Sequence, residues 1–153
     1  MSGPVLIVTG ARCLVDTPAA TAWARGVLGD ALVEVTGVGH GGAIGPDTWA
    51  GELARNLGLR ETVYGLDGWV TQDGRRLVRW TNDQRPHPIA RNRALVEAAR
   101  IASLRGTDLS VLGLLAPWSR THGTERTCAM ADAAGLIVRV MPCPAEHAPA
   151  VAS

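Results

Sequence analysis

Residues 37–47 read GVGHGGAIGPD, with glycines at 37, 39, 41, 42 and 45 and an acid, Asp47, where a helix would begin. Glycines let successive backbone N–H groups turn inward into a concavity that holds an anion. A helix start adds unpaired N–H groups and partial positive charge, so the natural guest is a phosphate. A second stretch of the same character, SRTHGT, spans residues 119–124, and a third, TGAR, spans 9–12. Ser119, Thr121 and Thr124 add hydroxyl donors, and Arg12, Arg91 and Arg120 can form charge-assisted bonds. Asp47 would repel a phosphate; it suits a helix cap or a pair of ribose hydroxyls. The glycines read equally well as nothing more than a tight turn.

Other chemistries lack their residues. The phosphate-binding pattern G-x-x-x-x-G-K-[ST] needs a lysine, and the chain has none. No G-x-G-x-x-G follows the first apolar run, and Ser119 does not sit in a G-x-S-x-G elbow. His40 and His122 lack partners at metal-ligand spacing, so no metal site is expected. Cys13, Cys128 and Cys143 are odd in number and without zinc spacing, which reads as reduced thiols.

The elements that would position these loops follow from the periodicity. Residues 4–10, 31–38, 60–66, 108–117 and 136–142 are short apolar runs and read as strands. Between them lie helical segments. Thr17 caps the first, with Ala20, Trp23, Ala24 and Val27 on one face. Trp49, Leu53, Ala54 and Leu57 line the second, and Gly58 stops it. The third, 88–106, carries Ile89, Leu95, Val96, Ala99 and Leu104 on one side; the fourth runs from 121 to its stop at Gly135. Residues 67–87 break the rhythm, polar and arginine-rich with Asp-Gly turns, and read as a small hairpin or a long loop. Strand–helix alternation five times over predicts an α/β, Rossmann-like three-layer sandwich with a mostly parallel five-stranded sheet. In such a sheet ligands bind beyond the carboxyl ends of the strands, and all three polar loops fall on that edge.

The 153 residues suit one domain, 1–145, followed by a loose Pro/Ala-rich tail, 146–153. A net charge of +1 argues against nucleic-acid binding driven by bulk electrostatics. No apolar run is long enough to span a bilayer, and the start lacks a signal-peptide pattern, so a soluble cytoplasmic protein is expected. Trp69, Trp80 and Trp118 suit a self-association surface, hence a homo-oligomer, or a lid over a base.

Four stretches carry a family resemblance: VTGAR at 8–12, GHGGAIGPDTWAGELA at 39–54, PIARNRALVEAA at 88–99 and SRTHGTERTCAMADAAGLIVRVM at 119–141. Together they resemble the YspA-like (DUF2493) branch of the SLOG superfamily, which includes the lysine-decarboxylase-like (LOG) phosphoribohydrolases and the DNA-processing proteins related to DprA. The resemblance covers residues 4–141. It implies a Rossmann-like fold and a pocket for a nucleotide or phosphorylated ribose compound, with no cofactor required. Carried over by residue, Gly10 and Arg12 fall in the first loop and Gly41, Gly42, Gly45 and Asp47 in the Gly-rich signature. Arg91 and Asn92 match an Arg-Asn pair, and Gly123 and Thr124 the last loop. Ala90 interrupts the Pro-Ile-Arg-Asn run of that branch, and Thr127 stands where the phosphoribohydrolases carry a glutamate. A binding domain, sensing or processing such a ligand, is the first expectation. The second is an enzyme acting at an N-glycosidic bond, with Arg91 and Glu125 as its catalytic residues. The third is a DNA-associated module.

Overall fold

The computed structural model describes residues 3–65, 68–71, 76–79 and 88–150, with side chains over 3–63 and 92–150. Strands β1 (Val5–Gly10), β2 (Gly37–His40), β3 (Arg60–Gly65), β4 (Gly68–Thr71), β5 (Arg76–Arg79), β6 (Leu109–Leu115) and β7 (Ile137–Pro142) form one sheet in the order β5-β4-β3-β2-β1-β6-β7. Helices α1 (Pro18–Ala31), α2 (Pro46–Asn56), α3 (Pro88–Leu104) and α4 (Gly123–Ala133) connect them. The five expected strands are all present and mutually parallel. Beside β3, the described residues of the stretch 67–87 follow the hairpin alternative: β4 and β5 continue the sheet antiparallel, making seven strands.

Alternation along β1 sorts the core into two layers. Leu6 and Val8 face one side, with Ala20, Ala24 and Leu28 of α1, Trp49, Ala50 and Ala54 of α2, and Leu112 and Leu114 of β6. Ile7 faces the other, with Leu95, Val96 and Ala99 of α3, Ala131 of α4 and Val111. Each buried Leu or Val contributes about 2 kcal/mol of transfer free energy. The Thr17 side chain caps α1, accepting from the Ala20 amide at 3.0 Å.

Two readings of the sequence are corrected. The second strand is Gly37–His40 rather than 31–38, because Ala31 completes α1 and Leu32 closes its last turn. In β1 it is Val5 that pairs with Gly37, which sets where β2 starts. Leu57 and Leu104, expected on buried faces, are 56% and 74% exposed at the ends of α2 and α3, beyond the reach of the sheet. Where the chain leaves β7, Cys143 is buried, residues 145–147 form a 3₁₀ turn, and the Thr17 hydroxyl donates to the His147 carbonyl at 2.7 Å. No helix among the described residues is long and apolar enough to cross a membrane.

Candidate ligand-binding cleft

From β1 the chain crosses through α1 to β2 on one side; from β6 it crosses through α4 to β7 on the other. The loops leaving β1 and β6 therefore part, and a crevice opens between them at the carboxyl edge. A cleft of about 270 Å³ lies there. Its floor is Thr9, Gly10 and Ala11, and Arg12 stands exposed at its edge. Gly41, Ala43 and Asp47 form one wall; Thr121, Gly123, Thr124 and Glu125 form the facing wall; Asn92 and Leu95 of α3 close a third side. The Ala11 amide donates to the Leu114 carbonyl at 2.9 Å and ties the floor to β6.

The structure thus brings together Gly10, Arg12, Gly41, Asp47, Asn92, Thr121, Gly123, Thr124 and Glu125 of the residues expected from sequence. Gly42, Gly45 and Ser119 are adjacent in the chain but do not line the cleft, and the Arg91 side chain lies outside the described residues. So do the side chains of Arg75, Arg76, Arg79, Arg85, Trp69 and Trp80. Ser119 serves the loop itself: its hydroxyl donates to the Thr121 carbonyl at 3.0 Å and accepts from the Thr121 amide at 3.2 Å.

The loop amides that sequence reading turned toward an external anion are turned inward, onto the protein's own side chains. Asp47 Oδ2 accepts from the Gly41 amide at 2.9 Å and the Ala43 amide at 3.4 Å. The intervening Gly42 amide donates to His40 Nδ1 at 3.0 Å. Asp47 lies in the first turn of α2, where its charge also complements the helix dipole, and is only 5% exposed. The amides it holds belong to the loop before α2, and α2 itself starts at Gly45 with no side-chain cap. Gly42 and Gly45, at φ of 73° and 96°, take left-handed conformations that only glycine adopts without strain, so the chain can curl back over Asp47.

Across the cleft stands the start of α4. His122 stands at its N-cap position and makes no side-chain cap to the helix amides. His122 Nδ1 instead pairs with Glu125 Oε2 at 2.6 Å. Thr127, at the position of the phosphoribohydrolase glutamate, is 1% exposed and donates its hydroxyl to the Gly123 carbonyl at 2.8 Å. Glu125, two residues earlier, lines the cleft wall, as Asp47 does on the opposite side.

Under the Gly-rich wall lies a polar pair that the sequence does not announce: His40 is weighed there only as a metal ligand, and Glu61 is not singled out. Glu61 of β3 and His40 of β2 are 5% and 4% exposed, and Nε2 of His40 lies 2.6 Å from Oε2 of Glu61. Arg55 of α2 donates to the other carboxylate oxygen at 2.5 Å. The Gly42 N–H is aimed at Nδ1, which accepts it, and this leaves Nε2 to donate to Glu61. The signal lay in the run RETVYG, where a strand inside a buried sheet carries an acid that must find a partner.

Burial alone would raise the pKa of Glu61, but hydrogen bonds from His40 and Arg55 outweigh it and hold the carboxyl below its ordinary 4.5. A carboxyl depressed in the folded state contributes stability that is complete above its unfolded pKa and lost as pH falls through the folded one. Glu61→Gln is therefore expected to be less stable than wild type by about 3 kcal/mol near neutrality. That gap should stay flat above about pH 5.5 and shrink below about pH 4.5. Denaturant unfolding across this range measures it, and a gap of unchanged size at about pH 3 would refute the assignment.

No family model and no curated protein sequence matches the chain. Among solved structures it is similar to DNA processing protein A (DprA) from Streptococcus pneumoniae, with a TM-score of 0.46 and 17% identity over 90% of this chain. The chain spans 58% of the length of that protein. From strand order and crossovers, the fold is an α/β Rossmann-like sandwich with a five-stranded parallel core.

Proposed function

We propose that the cleft binds a nucleotide or another phosphorylated ribose compound, with its phosphate on the first turn of α4. The carrying observation is the position of the cleft at the crossover of β1 and β6, walled by a helix start whose Gly123 and Thr124 amides receive no side-chain cap. The Gly41–Ala43 amides are committed to Asp47 and His40, so the Gly-rich loop acts as a shaped wall and not as the phosphate cradle. Arg12, Asn92 and Thr121 supply further donors around the ligand, and Arg91 joins them through the sequence resemblance to the YspA-like proteins. The volume of about 270 Å³ suits one sugar phosphate or mononucleotide.

The test is a thermal-shift screen of mononucleotides, ADP-ribose derivatives and NAD. A ligand at one hundred times its Kd stabilises the fold by about 2.7 kcal/mol, or roughly 5–10 °C for a domain of this size. Asn92→Ala is expected to weaken binding about tenfold, the worth of one hydrogen bond to a charged group. No shift with any member of the panel would defeat the reading. A second, enzymatic reading rests on Glu125, the cleft carboxylate held by His122, as a proton donor to a departing base. Chromatography of the same samples separates the two: free base released by wild type and lost in Glu125→Gln favours turnover.

A further inference from the structure

Three consecutive amides, Gly41, Gly42 and Ala43, are held by two side chains, and only one of those holders is an imidazole. The chain of bonds runs from Glu61 through His40 to the Gly42 amide, beneath the wall formed by Gly41 and Ala43. It works only while His40 is neutral. A proton on Nδ1 turns an acceptor into a donor and sets two N–H groups against each other where one bond of 3.0 Å stood. Among the described residues, Glu61 of β3 is bonded to the ring; Arg55 of α2 holds the other oxygen of that carboxylate, Asp47 of α2 holds the amides on either side of Gly42, and Val8 of β1 and Val63 of β3 pair with His40 in the sheet. Glu61 would hold the ring in place in both states. The Gly42 bond is what changes, so the consequence falls on the loop.

We propose that His40 is a positioning residue whose protonation unlatches the Gly-rich wall and lowers the affinity of the cleft. Its affinity readout rests on the nucleotide reading above, while its structural readout does not. The device acts at a distance from the ligand: His40 does not line the cleft, and Gly41 and Ala43 carry the change to it.

The discriminating variant is His40→Asn. Its side-chain oxygen can accept the Gly42 amide in place of Nδ1, and it takes up no proton. With AMP as probe, calorimetry from about pH 7.5 to about pH 5.5 should show wild type losing roughly tenfold more affinity than His40→Asn. The phosphate of the probe itself takes up a proton near pH 6, and that slope is common to both proteins. The second measurement uses wild type alone without ligand. The protection of the Gly41, Gly42 and Ala43 amides against hydrogen exchange is expected to fall in step with proton uptake by the His40 ring, both followed by NMR. This arm stands even if His40→Asn fails to fold. If AMP and its relatives do not bind at neutral pH, the nucleotide reading fails while the exchange experiment still decides the latch. Matching pH profiles for wild type and variant, a ring that stays neutral throughout, or a ring that titrates under unchanged loop protection would each overturn it.

Discussion

Gly51→Ala is expected to lower the stability of the protein by about 3 kcal/mol and its unfolding temperature by roughly 6–12 °C. The usual expectation is the opposite, since alanine is favoured over glycine inside a helix by about 1 kcal/mol. Gly51 lies within α2 where the helix crosses the buried pair of β2 and β3. A Cβ there would overlap Oε2 of Glu61 and come within 2.8 Å of Nε2 of His40. Neither partner can step aside. They are bonded to each other at 2.6 Å, Arg55 holds the second carboxylate oxygen, and Gly42 holds the far nitrogen of the ring. The methyl group must either push α2 off the sheet or break the buried hydrogen bond from His40 to the Glu61 carboxylate, and a hydrogen bond to a charged group is worth about 1.5–3 kcal/mol. Gly26 in α1 is the control, because a Cβ there meets nothing within 4 Å. Gly26→Ala should raise stability by about 0.5–1 kcal/mol. Thermal unfolding of the two variants side by side decides the matter; two shifts of the same sign would refute the steric account of Gly51.

That contrast also marks what the sequence could tell and what it could not. The layers were legible because periodicity reports burial: Leu6 and Val8 against Ile7, or Ala20 with Ala24, alternate as a sheet and a helix must. The cleft was legible because parallel strands put their carboxyl ends on one edge, so TGAR, GHGGAIGPD and SRTHGT had to converge. The partners of the loop amides were not. Whether the Gly41 amide faces outward or accepts the reach of Asp47 depends on how the chain turns at Gly42 and Gly45, and composition alone is neutral on that point. The pairing of His40 with Glu61 spans 21 residues and depends on strand register, Val38 beside Glu61 and His40 beside Val63, which no local pattern specifies. The length of β2 was misread for a similar reason. Leu32, Val33 and Val35 look like strand residues, yet Leu32 closes α1 and Val33 is 77% exposed in the turn after it.

Gly113→Ala should act on the cleft from beneath. Gly113 sits in β6 beside Thr9 of β1 and Val140 of β7, under the first turns of α4. A Cβ at this position would overlap Sγ of Cys128 and touch Thr124 Cγ2 at 3.5 Å and Thr9 Cγ2 at 3.8 Å. Cys128 is 4% exposed; burial first, and the Glu125 carboxylate second, push its thiol up to about 11. At neutral pH it is therefore an inert packing group, with no thiolate to act as a nucleophile. Adding the methyl group forces α4 away from the sheet, at a cost of about 3 kcal/mol. Because Thr9, Gly123 and Thr124 wall the cleft, the same shift moves the helix start that receives the phosphate in the proposed function. Cys128→Ala alone should cost about 1 kcal/mol, the loss of one small buried group. Combined, the two substitutions should relieve each other, with the double variant more stable than the sum of the singles by at least about 1 kcal/mol. Binding of AMP is expected to fail in Gly113→Ala and return in the double variant. Additive stabilities would remove the contact from the account of the fold. A single variant that binds as wild type does would separate the α4 start from the ligand.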